Sequence, residues 1–173
     1  MEKPGKGNEP SKMVNLVVHF FRDCAMLCKA LKAVKSSRDD RYEVALDSLM
    51  REGVKFKVVP YEGFWQAVKY PWHVLDLMDY FLGNIEKLFP KGRVGGKKAE
   101  ISKTATVRGK NVYLEDGVRV LDNAVIVGPA YIGKNTIVAT NAMVRGSNIG
   151  ANCIVGFGTE IARSFLGNDV WTH

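Results

Sequence analysis

Three cysteines, a run of lysines and arginines, and a histidine at position 173 offer this 173-residue chain most of its chemistry. Cys24 and Cys28 stand one helical turn apart and Cys153 lies far downstream. An odd count without metal-type spacing reads as reduced, mostly buried thiols, so no metal site is expected. The net charge is +7. Much of the excess lies where Lys87, Lys91, Arg93, Lys97, Lys98, Lys103, Arg108 and Lys110 meet only Glu100. Such a run could bind nucleic acid, yet it holds one aromatic, Phe89, and no recognition motif. A solvated linker, or a surface that attracts small phosphorylated substrates, is the better reading. Lys91–Lys98 is rich in glycine and lysine but lacks the spacing of a phosphate-binding P-loop.

The elements that would position these residues are led by a repeat. Large aliphatics fall at Leu114, Val120, Ile126, Ile132, Val138, Val144, Ile149, Val155, Ile161 and Leu166. The step is six residues, shortening to five at Val144–Ile149 and Ile161–Leu166. No helix has that period, and a simple strand alternates every second residue. Small or β-branched residues follow four places on, at Val118, Ala124, Ala130, Thr136, Ala142, Cys153, Thr159 and Val170. Glycine follows one place on, at Gly133, Gly150, Gly156 and Gly167. The pattern predicts a triangular parallel β-helix. Each hexad gives one flat side, and glycine or asparagine takes the corner conformations that a β-carbon penalises. With Ile101 and Val107 included, roughly four coils are expected.

Ahead of the repeat, Val14–Phe21 reads as a buried strand and Val54–Pro60 as a short one. Asp23 caps a helix whose apolar face is Cys24, Leu27, Cys28, Leu31 and Val34. Tyr42–Glu52 reads as a second helix, stopped by Gly53. After an aromatic turn, Pro71 opens a third helix expected to run to Phe89. The expected organisation is residues 1–90 as the last part of an α/β domain, 91–100 as a linker, and 101–173 as an incomplete β-helix. Two strands and three helices cannot cover both faces of a sheet, and the repeat stops in mid-pattern at His173. The chain therefore reads as a piece of a longer protein, truncated at both ends.

The hydrophobic fraction of 46% and charged fraction of 25% are those of a soluble protein. No apolar run approaches the ~20 residues that cross a bilayer, and the first residues do not form a signal peptide. A cytoplasmic protein without membrane or nucleic-acid partners is expected.

Glu2-Lys3-Pro4, the segment with Asn15, Tyr42-Glu43, Gly63-Phe64-Trp65 and Pro71-Trp72-His73-Val74-Leu75-Asp76 occur in that order. Followed by the hexapeptide repeat, they resemble the bifunctional sugar-1-phosphate nucleotidylyltransferase/acetyltransferase family. The wording is nearest its archaeal glucosamine-1-phosphate acetyltransferase / N-acetylglucosamine-1-phosphate uridylyltransferase-like members. The resemblance implies an α/β nucleotidyltransferase remnant followed by a left-handed parallel β-helix, assembled as a homotrimer. It implies a sugar 1-phosphate and a nucleoside triphosphate as substrates, with Mg²⁺ neutralising charge in an in-line displacement. Glu2 and Asn15 match contacts to sugar hydroxyls, and Lys3 a contact to the sugar phosphate. In the acetyltransferase half, His173 matches a general base on the sugar amine, with acetyl-CoA as donor.

The chain also departs from the family. Ala67 stands where the family has a metal-holding aspartate or asparagine, and Val17 where a glycine admits the sugar. Val138 and Ala162 replace an arginine and a lysine that grip the sugar phosphate, although Arg145 and Arg163 lie near in sequence. The expected function is a nucleotide-sugar biosynthesis enzyme with a hexapeptide acyltransferase-like domain, whose activity belongs to the longer parent. The alternative is a non-catalytic relative in which the β-helix drives oligomerisation and the transferase part is regulatory.

Overall fold

The computed structural model describes residues 13–89 and 98–173. The chain divides into two compact units, Met1–Trp65 and Gln66–His173. The expected limits at 90 and 101 mark where the repeat was read to begin; the compact units divide earlier.

In the first unit, helix α1 spans Cys24–Ala33 and α2 spans Arg41–Arg51. Asp23 caps α1 as its sequence position predicts, its carboxylate accepting the Ala25 N–H at 2.8 Å. Ala45 and Leu49 of α2 are buried, whereas α1 buries no residue. The expected strands over 14–21 and 54–60 do not form. Both segments are apolar, but a strand exists only when its backbone groups find a neighbour; neither segment pairs, and Val17 at φ 56 interrupts the first. Their side chains accordingly face solvent: Phe20 is 93% exposed and Val59 75%. Cys24 and Cys28 are exposed too, which corrects the expectation of mostly buried thiols. Only Cys153 is buried.

In the second unit, α3 spans Trp72–Gly83 and a short α4 spans Ile85–Leu88. The single helix expected to reach Phe89 is broken at Asn84. There the Asn84 side chain donates to the Tyr80 carbonyl at 2.8 Å, so the helix gains a local competitor just after a glycine. Leu75, Met78, Leu82 and Ile85 pack on Tyr113 and Tyr131, which stack with ring centroids 5.6 Å apart.

The rest of this unit is a parallel β-helix. Its strands are β1 (Glu100–Ile101), β2 (Thr106–Arg108), β3 (Val112–Leu114), β4 (Arg119–Val120), β5 (Val125–Ile132), β6 (Ile137–Val138), β7 (Met143–Ile149), β8 (Ile154–Val155), β9 (Glu160–Ala162) and β10 (Phe165–Leu166). Every ladder is parallel, and each pairs a strand with its counterpart one coil on. One face stacks Ile101, Val120, Val138 and Val155. The second stacks Val107, Ile126, Val144 and Ile161. The third stacks Leu114, Ile132, Ile149 and Leu166. Ile126, Ile132, Val138, Ile149 and Val155 are wholly buried, and Ile161 is half-buried in the last coil.

The shortened step has a location. Val127 pairs with Arg145, but the next partners are Ala130 and Ser147, so β7 lacks one residue at the corner where β5 carries Gly128-Pro129. The corners satisfy their own polar groups. Asn135 and Asn152 adopt left-handed backbones at φ 58 and 55, as does Asp169 at φ 59. Asn135 donates to Asn152 at 3.3 Å, and Asn152 to Asp169 at 3.1 Å, forming a side-chain ladder up one edge. Thr136 takes a small-residue position inside the core, where its hydroxyl donates to the Gly150 carbonyl at 2.7 Å and accepts the Cys153 N–H at 3.0 Å. Gly133 and Gly150 stack so closely that a β-carbon on Gly133 would stand 2.5 Å from the Gly150 carbonyl carbon. Only glycine fits there.

Candidate functional site

The residues singled out by sequence fall in separate units, and each group stands by itself. In the first unit, the loop from Ser36 to Asp40 is held by the Ser36 hydroxyl donating to Asp40 at 2.6 Å. This presents the first turn of α2. Arg41, Tyr42 and Glu43 then line an open cavity of about 730 Å³, together with Val17, Leu31, Lys32 and Asp39. Tyr42 is fixed by a 2.7 Å hydrogen bond between its hydroxyl and His19 Nδ1. The cavity thus carries two cations, two carboxylates, a phenol and two aliphatic walls.

Asn15 is exposed and its carbonyl oxygen accepts the Val17 N–H at 2.8 Å. This bond turns the backbone so that Val17 has φ 56. A β-branched residue rarely adopts that conformation and glycine does so freely. Glu2 and Lys3 lie outside the described residues.

His173 sits at the last coil of the β-helix. Trp171 forms a parallel bridge with Ile154, and the Thr172 N–H donates to the Ile154 carbonyl at 2.9 Å. The Thr172 hydroxyl oxygen accepts the Gly156 N–H at 3.2 Å. A β-carbon on Gly156 would stand 3.2 Å from the His173 Cα, so the bare glycine lets the chain pass and fixes where the histidine starts. The imidazole is exposed, beside Trp171, which is 67% exposed. Val138, one of the two positions read against phosphate-gripping residues, is wholly buried in the core and cannot reach a ligand. Arg145 is paired with Glu160 at 2.6 Å and Arg163 with Asp79 at 3.0 Å.

Among the described residues no three His, Cys, Asp or Glu side chains converge as metal ligands. Ala67 offers no donor where the family has one. The described residues do not fit a Mg²⁺ centre.

A family model described as bacterial transferase hexapeptide (six repeats) matches residues 111–146. Two archaeal proteins named bifunctional protein GlmU, from Methanococcus maripaludis and Methanococcus vannielii, are each 30% identical, over 96% and 98% of this chain. The chain is similar to both proteins along nearly its whole length. It spans 43% and 44% of the length of those two relatives.

The sequence reading did not single out Lys32, Asp39 and Arg41, which line the cavity of the first unit. The one available signal was the charged loop between α1 and α2, which looks like any solvated turn until α2 is placed beside Val17. Among the described residues no helix is long and apolar enough to cross a membrane.

Proposed function

We propose that this chain serves nucleotide-sugar biosynthesis. It supplies the sugar-phosphate side of a sugar-1-phosphate nucleotidylyltransferase and the β-helix of a hexapeptide acyltransferase. The observation that carries this reading is the match to two proteins named bifunctional GlmU along nearly the whole chain, with both the motif order and the repeat included. Residues 1–90 are read as the closing part of the nucleotidyltransferase domain, 91–100 as a linker and 101–173 as the β-helix.

At the sugar end, Glu2 and Asn15 hold hydroxyls and Lys3 holds the phosphate, which aligns the sugar phosphate for attack on the nucleoside triphosphate. At the acetyltransferase end, the His173 imidazole takes the proton from the sugar amine as the nitrogen attacks the thioester carbonyl, and coenzyme A leaves as its thiolate, which takes up that proton. Acetyl-CoA supplies the acetyl group. The parent is proposed to act in the cytoplasm as a homotrimer.

The sugar end is tested by isothermal titration of N-acetylglucosamine 1-phosphate into the chain. Saturable binding that Asn15→Ala weakens by about 10-fold supports the assignment; a hydrogen bond to a charged or polar ligand is worth ~1.4 kcal/mol at that level. Heats equal to dilution for the unmodified chain would remove it. The scaffold reading is favoured by two observations: Val138 is buried where a phosphate ligand would be needed, and Val17 fills a glycine position. In that reading the β-helix assembles copies and the first unit regulates without turnover.

A further inference from the structure

We propose that Cys24 and Cys28 form a dithiolate site for one monovalent copper ion on the open face of α1. Both thiols are free and exposed. They lie four residues apart in one helix, so they leave the same face one turn apart, with β-carbons about 5–6 Å from each other. The helix that holds them is capped by Asp23 and buries no residue, so this face is not already committed to the core of its unit. Leu27 and Leu31 lie half-buried on the same side and give the pair an apolar shoulder.

Ligand type and number decide the ion. Thiolates select soft metals. Structural zinc takes four protein donors, and among the described residues no third His, Cys, Asp or Glu joins these two. Copper(I) is satisfied by two sulfur ligands. On binding, each thiol releases its proton to solvent and each sulfur donates a lone pair to the ion. No electron is transferred, and the bis-thiolate complex carries one negative charge. Lys29, next to Cys28, and Arg22, two places before Cys24, are exposed and oppose that charge, while Asp23 next to Cys24 is engaged as the helix cap. Cys153 is a different kind of thiol: it is buried and donates to the Gly167 carbonyl at 3.1 Å.

The experiment is an anaerobic titration of the reduced chain with copper(I), competed against the chromogenic chelator bicinchoninate. The chain is expected to withdraw one equivalent of copper. Cys24→Ser and Cys28→Ser should each abolish the withdrawal, while Cys153→Ser leaves it intact. Far-UV circular dichroism should match among the exposed-site variants, since neither side chain is buried. Failure of the unmodified chain to compete, equal withdrawal by the Cys24→Ser/Cys28→Ser double variant, or loss with Cys153→Ser alone would overturn the site. Zinc binding as tight as copper binding would overturn the choice of ion.

Discussion

Val17 shows how one residue joins the backbone to the site. Its φ of 56 costs a side-chain-bearing residue about 1–2 kcal/mol. Val17→Gly removes that strain, and part of the gain is returned to the more flexible unfolded chain. The expected outcome is a stabilisation of about 1 kcal/mol in urea unfolding of the first unit; no gain would mean the turn is not held as described. The turn was half legible in sequence. Asn15 was recognised, but only the structure shows its side-chain oxygen accepting the Val17 N–H. Tyr131 gives a second residue-scale test. Burial, then the Glu115 carboxylate to which its hydroxyl bonds, raises its pKa above the ordinary value of 10.0. The folded chain therefore keeps a proton that the unfolded chain gives up. This contribution is fully present below pH ~10 and is lost as the pH rises beyond it. Urea midpoints from about pH 8 to 11 should fall at the alkaline end, and Tyr131→Phe should flatten that part of the fall.

At the scale of elements, the repeat was almost fully legible because its physics is local and periodic. Each large aliphatic fills the interior of one face, and every third one stacks on the same face a coil further on, so spacing alone placed Ile126, Ile132 and Ile149 inside, and all three are buried. The strands expected over 14–21 and 54–60 failed for the opposite reason: apolar, extended sequence does not make a strand without a partner. The break between α3 and α4 was also missed, because Gly83-Asn84 interrupts neither the apolar stripe nor its spacing. The glycine stack yields a paired prediction. A β-carbon on Gly150 would stand 2.5 Å from the Gly167 carbonyl, while one on Gly167 meets nothing within 4 Å. Gly150→Ala should cost about 1–3 kcal/mol in thermal unfolding, as overpacking does. Gly167→Ala should stay within about 0.5 kcal/mol. Equal effects at the two positions would contradict the stacking.

For the whole molecule, the flat outer sides of the β-helix bear on assembly. One side turns Ile137, Ile154 and Trp171 outward in a row that begins with the paired charges Glu100 and Arg119. A row of this kind favours association, and the proposed parent should sediment as a trimer; a monomer at every concentration would remove that proposal. The likeness to the two relatives was legible as motif order, and the geometry of a site was not, because Asn15 and His173 belong to separate compact units. The central claim is that His173 is the general base of an amino-sugar acetyl transfer. It is tested most directly by a thiol-release assay on the protein that carries this chain, with acetyl-CoA and glucosamine 1-phosphate. The account predicts turnover that His173→Ala lowers by about 10²–10⁴-fold, the contribution of a positioned acid or base. Turnover unchanged by His173→Ala would contradict it.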